Sequence, residues 1–128
     1  GTTDVQVLSP PAGGIALDAN ESSVVLGLRV DGGASALLTG DAEAIAQMRL
    51  LAAPEVIDID VIKVPHHGGD TNAEGFLSAT TPQVAVISVG EDNPFGHPHP
   101  DVLADLVGVD VRRTDLAGDV VVPLHGGP

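Results

Sequence analysis

Apolar residues recur along the chain in two rhythms, short runs with β-branched residues and longer stretches spaced for a helix. Residues 5–8 read as a short strand, closed by Ser9-Pro10-Pro11 and the Gly13-Gly14 loop. Residues 23–30 are β-branched and partly alternating, and Asp31-Gly32-Gly33 is a hairpin-type turn that returns the chain along 35–39. Asp41 precedes a helical stretch over 42–52, on which Ile45, Met48 and Ala52 share a face, and Pro54 follows its stop. Residues 61–64 form a brief apolar strand ending at Pro65. A short helix is expected near 73–78 and a buried strand over 84–89. After a polar, proline-rich loop from 90 to 100, residues 101–107 read as a helix with Val102, Leu103 and Leu106 inward. Strands over 109–112 and 120–122 close the pattern. Strands alternating with helices predict an α/β layer structure, one mixed sheet with helices on one face, in a single domain over 1–128.

Composition narrows the chemistry. With no cysteine, disulfides and thiolate metal sites are excluded, so any metal must be held by histidine and carboxylate. The two phenylalanines are the only aromatics, so the core must be built from Val, Leu, Ile and Ala. Eighteen acidic against five basic residues give a net charge of −13, which argues against duplex DNA binding by phosphate contacts alone. A divalent cation in a carboxylate-lined site would neutralise that charge locally. No apolar run approaches the roughly 20 residues that span a bilayer, so direct membrane insertion is not expected.

Metal-ligand residue types stand just past three predicted strand ends: Asp41, the pair His66 and His67, and His97 with His99. A rigid sheet aims such loop side chains at one place. Each has a plainer reading. Asp41 suits a helix N-cap. Adjacent histidines on a loop are commonly solvent-exposed. The Asn93 to Pro100 segment could be mere punctuation, or a rigid rim that presents His97 to a substrate. His125, in a Gly-rich tail, reads as incidental. There is no Gly-x-Ser-x-Gly elbow, Walker loop or Gly-x-Gly-x-x-Gly fingerprint.

Taken in order, Leu8-Ser9-Pro10-Pro11, Asn20 with Ser23, Leu37-Leu38-Thr39-Gly40-Asp41, Lys63-Val64-Pro65-His66-His67-Gly68, Ile87-Ser88-Val89-Gly90 with Asn93, Phe95-Gly96-His97-Pro98, and Arg113-Thr114-Asp115 with Gly118 form one series. It resembles the later part of the metallo-β-lactamase-like domain at the C-terminus of ComEC-type competence proteins, from about Val5 to Val122. The resemblance implies half of an αββα sandwich and a metal-dependent phosphodiesterase or nuclease. It makes Asp41 the metal-bridging carboxylate and His67 the later histidine ligand. His66 would then face substrate or support the metal ligands from behind, with His97 and Lys63 as lesser contacts. Zinc or manganese would be held by the complete domain, and DNA would be the substrate of its parent, a membrane protein carrying this domain as a soluble, extracytoplasmic part. Two departures matter. Gly69 stands where the family commonly has Ser, and the His-x-His-x-Asp-His segment is absent from 1–128, so this stretch alone is expected to carry half a site and little or no activity. Its open face should receive the upstream half or a second copy. The alternatives are another phosphoesterase on the same fold and a structural module that has lost its metal.

Overall fold

The computed structural model describes residues 1–13 and 18–125; Gly14 of the predicted Gly13-Gly14 loop and the three last residues of the tail lie outside the described residues. Six strands form one mixed sheet in sequence order: β1 (Thr3–Ser9), β2 (Val25–Val30), β3 (Ser35–Leu38), β4 (Val61–Lys63), β5 (Val84–Ile87) and β6 (Asp110–Arg113). The first three are antiparallel, β2 and β3 being joined by the predicted Asp31-Gly32-Gly33 turn, and β3 through β6 are parallel. Parallel neighbours require crossovers, and these carry the helices α1 (Ala44–Leu50), α2 (Phe76–Thr80) and α3 (Pro100–Asp105). A single turn, α4 (Thr114–Ala117), follows β6.

Register decides which sheet face is buried. Leu37, Ile62 and Ala85 lie abreast on adjacent strands, and all three are buried with Val25 and Ile87. Against them pack Ala46 and Leu50 of α1, Phe76 and Leu77 of α2, and Val102 and Leu106 of α3. Leu103 is partly buried beside them, so α3 turns the predicted face inward. The opposite face presents Val5, Val7 and Leu38, all exposed, with Leu26, Leu28, Val61, Val84 and Val86 half-buried between them. No helix covers it among the described residues, nor is any helix long and apolar enough to cross a membrane.

One helix face is assigned and one expectation is corrected. The shared face of Ile45, Met48 and Ala52 is real, but it points to solvent; Ile45 is 55% and Met48 66% exposed. Buried instead are Ala42, Ala46, Gln47 and Leu50; the two alanines let the helix lie close on the core, and the Gln47 amide is met by Ala42 O, Asn72 Oδ1 and Ala73 N–H. The strand predicted over 120–122 does not form. Those residues form no ladder, and the tail is tied down by the Leu124 carbonyl, which accepts from Ala34 N–H at 2.9 Å. A strand needs a neighbour to pair with, and β6 does not serve as one for this segment.

Helix α1 lacks a side-chain cap of its own at Glu43. The orphan amides of its first turn are met from 22 to 25 residues away, by the buried carboxylate of Glu21. Its Oε1 accepts from Glu43 N at 2.9 Å and Ala46 N at 3.2 Å, and its Oε2 from Ile45 N at 2.7 Å. A carboxylate at a helix N-terminus joins charge-assisted bonds to a favourable dipole. Replacing Glu21 by alanine is expected to cost about 2–4 kcal/mol, since three amides lose their acceptor at once. Urea unfolding of Glu21→Ala beside Glu21→Gln, which keeps an acceptor, measures it.

Candidate functional site

Because β3, β4 and β5 run parallel, the loops leaving their C-terminal ends open on one edge of the sheet. Those loops carry Asp41, His66 with His67, and His97. They are cross-tied. The Gly40 carbonyl accepts from His66 N–H at 3.1 Å and from Lys63 Nζ at 2.8 Å, and Thr39 Oγ1 donates to Lys63 O at 2.6 Å. The Gly68 carbonyl accepts from His99 N–H at 2.8 Å, which binds the β4 loop to the β5 loop.

Asp41 is not a helix cap. It stands three residues before α1, Glu21 occupies the helix terminus, and Asp41 N–H donates to Ser23 Oγ at 3.1 Å. Its half-exposed carboxylate meets His67, with Oδ1 and Nε2 3.4 Å apart. The other ring nitrogen, Nδ1, lies 2.7 Å from the Ser88 carbonyl, so Nδ1 carries the proton that it donates there. Nε2 of a neutral His67 is then a bare lone pair facing a carboxylate oxygen. Two acceptors at that distance repel unless a second proton or a cation lies between them. The donor types suit zinc or manganese, with the Ser88 carbonyl orienting the imidazole. Asp41 and His67 supply two donors, and among the described residues no group of three His, Asp or Glu side chains forms a metal-holding cluster.

His66 does not join that pair. Its ring centroid is 6.2 Å from that of His67, and its Nδ1 lies 3.6 Å from Glu43 Oε2 and 3.4 Å from Thr71 Oγ1. Both histidines have left-handed backbone, His66 at φ 48° and His67 at φ 56°. For non-glycine residues that conformation costs on the order of 1–2 kcal/mol each, and it persists where surrounding structure fixes it. Here the fixing is visible in the bonds to Gly40 and Ser88.

Lys63 is half-buried and its Nζ donates to the Gly40 carbonyl; burial lowers its pKa, and the nearby Asp41 carboxylate opposes that shift. His97 stands 5.9 Å from His66, ring centre to ring centre. Its loop is shaped by Asn93, whose Oδ1 accepts from His97 N–H and whose Nδ2 donates to His97 O, both at 2.9 Å. His97 also fills the space beside Gly69, where an added Cβ would lie 3.1 Å from its Nε2, so a serine there would need the imidazole to move. His99 is structural, its Nδ1 capping α3 through Asp101 N–H at 3.2 Å. His125 lines a cavity at the other end of the parallel strands, with Gly32, Asp60 and Gln83. Thr114 of the Arg-Thr-Asp series pins the segment after β5 through both backbone groups of Val89, at 2.8 Å each. Bonds from Arg113 hold the Asp115 carboxyl below its usual range.

His66, His67, Val89, Gly90, Asn93, Phe95 and His97 together line a cleft of about 430 Å³. The pKa of His97 is lowered by burial first, then by His66 and His67, against a smaller opposing pull from Asp70. By NMR its midpoint should fall below the ordinary value of about 6.5 and move back toward it in His66→Asn, which removes the second cause. The sign for folding follows. As pH drops past about 6.5 the unfolded chain takes up this proton before the folded one, so the contribution is intact above that value and declines through the window down to the folded midpoint.

Sequence reasoning missed Glu21, Glu43 and Thr71. Glu43 lies two residues beyond Asp41, and its acidity was the one available signal.

No protein-family model matches the chain. It is 39% identical over 117 residues to ComE operon protein 3 of Bacillus subtilis (strain 168), covering 89% of this chain and 15% of that protein. It is 42% identical over 120 residues to Recombination protein 2 of Haemophilus influenzae, covering 91% of this chain and 15% of that protein. With Competence protein ComA of Neisseria gonorrhoeae the identity is 36% over 115 residues, covering 87% and 16%. The chain thus spans about a sixth or less of the length of these relatives. Nearly all of it is homologous to a segment of ComEC-type competence proteins.

Proposed function

We propose that this homologue of ComEC-type competence proteins is the later part of a metallo-β-lactamase-type hydrolase domain, which cleaves phosphodiesters in DNA when complete. The observation that carries the proposal is the Asp41–His67 pair, two lone-pair donors held 3.4 Å apart with the imidazole proton turned away onto Ser88. A divalent cation there would polarise a phosphoryl oxygen and offset the negative charge of both chain and substrate.

The chain's own residues do the rest. Gly40, held by Lys63 and by His66 N–H, fixes the loop that aims Asp41. Ser88 fixes the ring of His67. His66, braced by Glu43 and Thr71, faces the cleft as a hydrogen-bonding group for a phosphate or leaving oxygen, and His97 is a neutral neighbour on the same wall. The remaining ligands would come from chain preceding this segment in the longer protein, seated against the open sheet face of Val5, Val7, Leu26, Leu28 and Leu38. Covering that apolar surface supplies the association energy such a partner needs. We propose likewise an extracytoplasmic location within a membrane protein.

The test is a cleavage assay on single- and double-stranded DNA with manganese, zinc and magnesium, using the chain alone and a longer protein that contains it. The expected result is metal-dependent cleavage by the longer protein and little or none by the chain alone. A longer protein that binds no metal and cleaves neither substrate would overturn the proposal.

A further inference from the structure

Of the two aromatic residues in the chain, Phe76 is fully buried and Phe95 is 77% exposed. The exposure of Phe95 is built in. Asn93 Oδ1 accepts from Phe95 N–H at 3.3 Å and from His97 N–H at 2.9 Å, while Asn93 Nδ2 donates to Gly90 O at 3.2 Å and His97 O at 2.9 Å. Pro94 precedes the ring, and Gly96 follows it with left-handed backbone at φ 73°. A loop stitched in this way holds the phenyl group outward at little further entropic cost on binding. The ring stands 5.7 Å from the His97 imidazole, tilted 32° to it, at the rim of the cleft that also contains His66 and His67.

The cleft is poor in free cations. Arg112 and Arg113 are paired with Asp110 and Asp115, Lys63 is turned onto Gly40, the guanidinium of Arg49 is buried, and exposed Arg29 stands beside Ser35 at the other end of the sheet. Phosphate attraction therefore supplies little affinity to a strand entering here. The flat apolar face that remains is suited to an aromatic ring of the ligand. Bases within a duplex already cover one another's faces, whereas an unpaired base has its face free.

We propose that Phe95 is a stacking platform for one unpaired nucleobase, placing a single-stranded segment so that an adjoining phosphodiester reaches the Asp41–His67 pair. This rests on the phosphodiesterase reading above and adds strand preference to it. The cleft volume lies within the roughly 300–1,000 Å³ of small-molecule pockets, enough for a nucleotide.

The test is an NMR titration of the chain, without metal, using hexathymidylate, an abasic hexamer with the same number of phosphates, and a blunt duplex. Hexathymidylate should shift the Phe95 ring and Gly96 amide resonances and bind about tenfold or more tighter than either comparator, as expected for one stacked base. Phe95→Ala should remove that advantage and Phe95→Trp restore it, while thermal unfolding reports that each variant folds. Equal binding of the abasic hexamer, an unaffected Phe95→Ala, or no shift with hexathymidylate would each overturn the proposal, leaving Phe95 as a contact for other protein. Stacking without cleavage by the longer protein sinks the phosphodiesterase reading alone. Metal-dependent cleavage without base-dependent binding sinks this one alone.

Discussion

Asp41→Ala in the longer protein is expected to lower metal-dependent phosphodiester cleavage by about 10³-fold or more, while the melting temperature of the chain moves by no more than a degree or two. The kinetic size follows from a cation's contribution of several kcal/mol at the transition state, each 1.36 kcal/mol being tenfold in rate. The small structural cost follows from the way Asp41 is held. Its backbone is anchored through Ser23 Oγ, its loop through the Gly40 carbonyl, and the helix that follows through Glu21, none of which uses the Asp41 carboxylate. Asp41→Asn separates charge from shape, because it keeps an oxygen facing His67 but supplies no negative charge. Metal per chain by elemental analysis, measured beside kcat/KM, should fall in parallel. Cleavage that stays within a few-fold of the parent in Asp41→Ala would remove this carboxylate from the chemistry. The corresponding change at His66, which on this reading hydrogen-bonds the phosphate or leaving oxygen without holding the cation, should cost about 10- to 100-fold, the worth of one hydrogen bond to a charged group.

The second large effect is on stability. Gly68→Ala is expected to cost about 3 kcal/mol and lower the melting temperature by about 10 °C. Glycine is required at this position twice over. Its backbone lies at φ +81°, where an L side chain is strained by about 1–2 kcal/mol. An added Cβ would also stand 2.7 Å from Pro98 Cβ and 3.0 Å from Pro98 Cα, with Ile87 Cγ2 at 3.2 Å, and none of these is the free end of a flexible chain. Overpacking of that kind costs about 1–3 kcal/mol, against which the lost flexibility of the unfolded chain returns less than 1. At this chain length each kcal/mol is worth about 3–4 °C. Gly69 is the control. A Cβ there meets the His97 imidazole at 3.1 Å and the His66 carbonyl at 3.2 Å, both looser than the 2.7 Å at Gly68, and the backbone is ordinary at φ −68°, so Gly69→Ala should displace the ring and shift its resonances while lowering the melting temperature less than Gly68→Ala. Calorimetry on the two variants together distinguishes a steric requirement from general sensitivity of the loop.

How much of this was legible in the sequence depended on range. The Asp31-Gly32-Gly33 turn and the two strands that it joins carry their own local signals, and both formed. That Asp41, His67 and His97 belong to one edge was expected from their places just past three strand ends, and the parallel run of β3, β4 and β5 accounts for it. Which face of α1 is buried was not legible, because its large apolar residues Ile45 and Met48 face solvent while Ala42 and Ala46 bury well through being small. The strand expected over 120–122 has the alternation of a strand, with Val120, Val122 and Leu124 half-buried between exposed Val121, Pro123 and His125, but alternation cannot say whether a partner is present. The capping of α1 by Glu21 and the bracing of His67 by a main-chain carbonyl at Ser88 join positions more than 20 residues apart. No local pattern encodes them.

The left-handed backbone at His66 and His67 leaves a mark on the sequence itself. Glycine would sit at either position with less steric penalty, so a loop selected for folding alone would drift toward Pro-Gly-Gly-Gly. Retaining two imidazoles there opposes that drift, and the loop is expected to be a spot where gains in thermal tolerance and losses of chemistry arrive in the same substitution. Stability screens of random variants should therefore recover His67→Gly as neutral or improved, and a screen for cleavage should discard it.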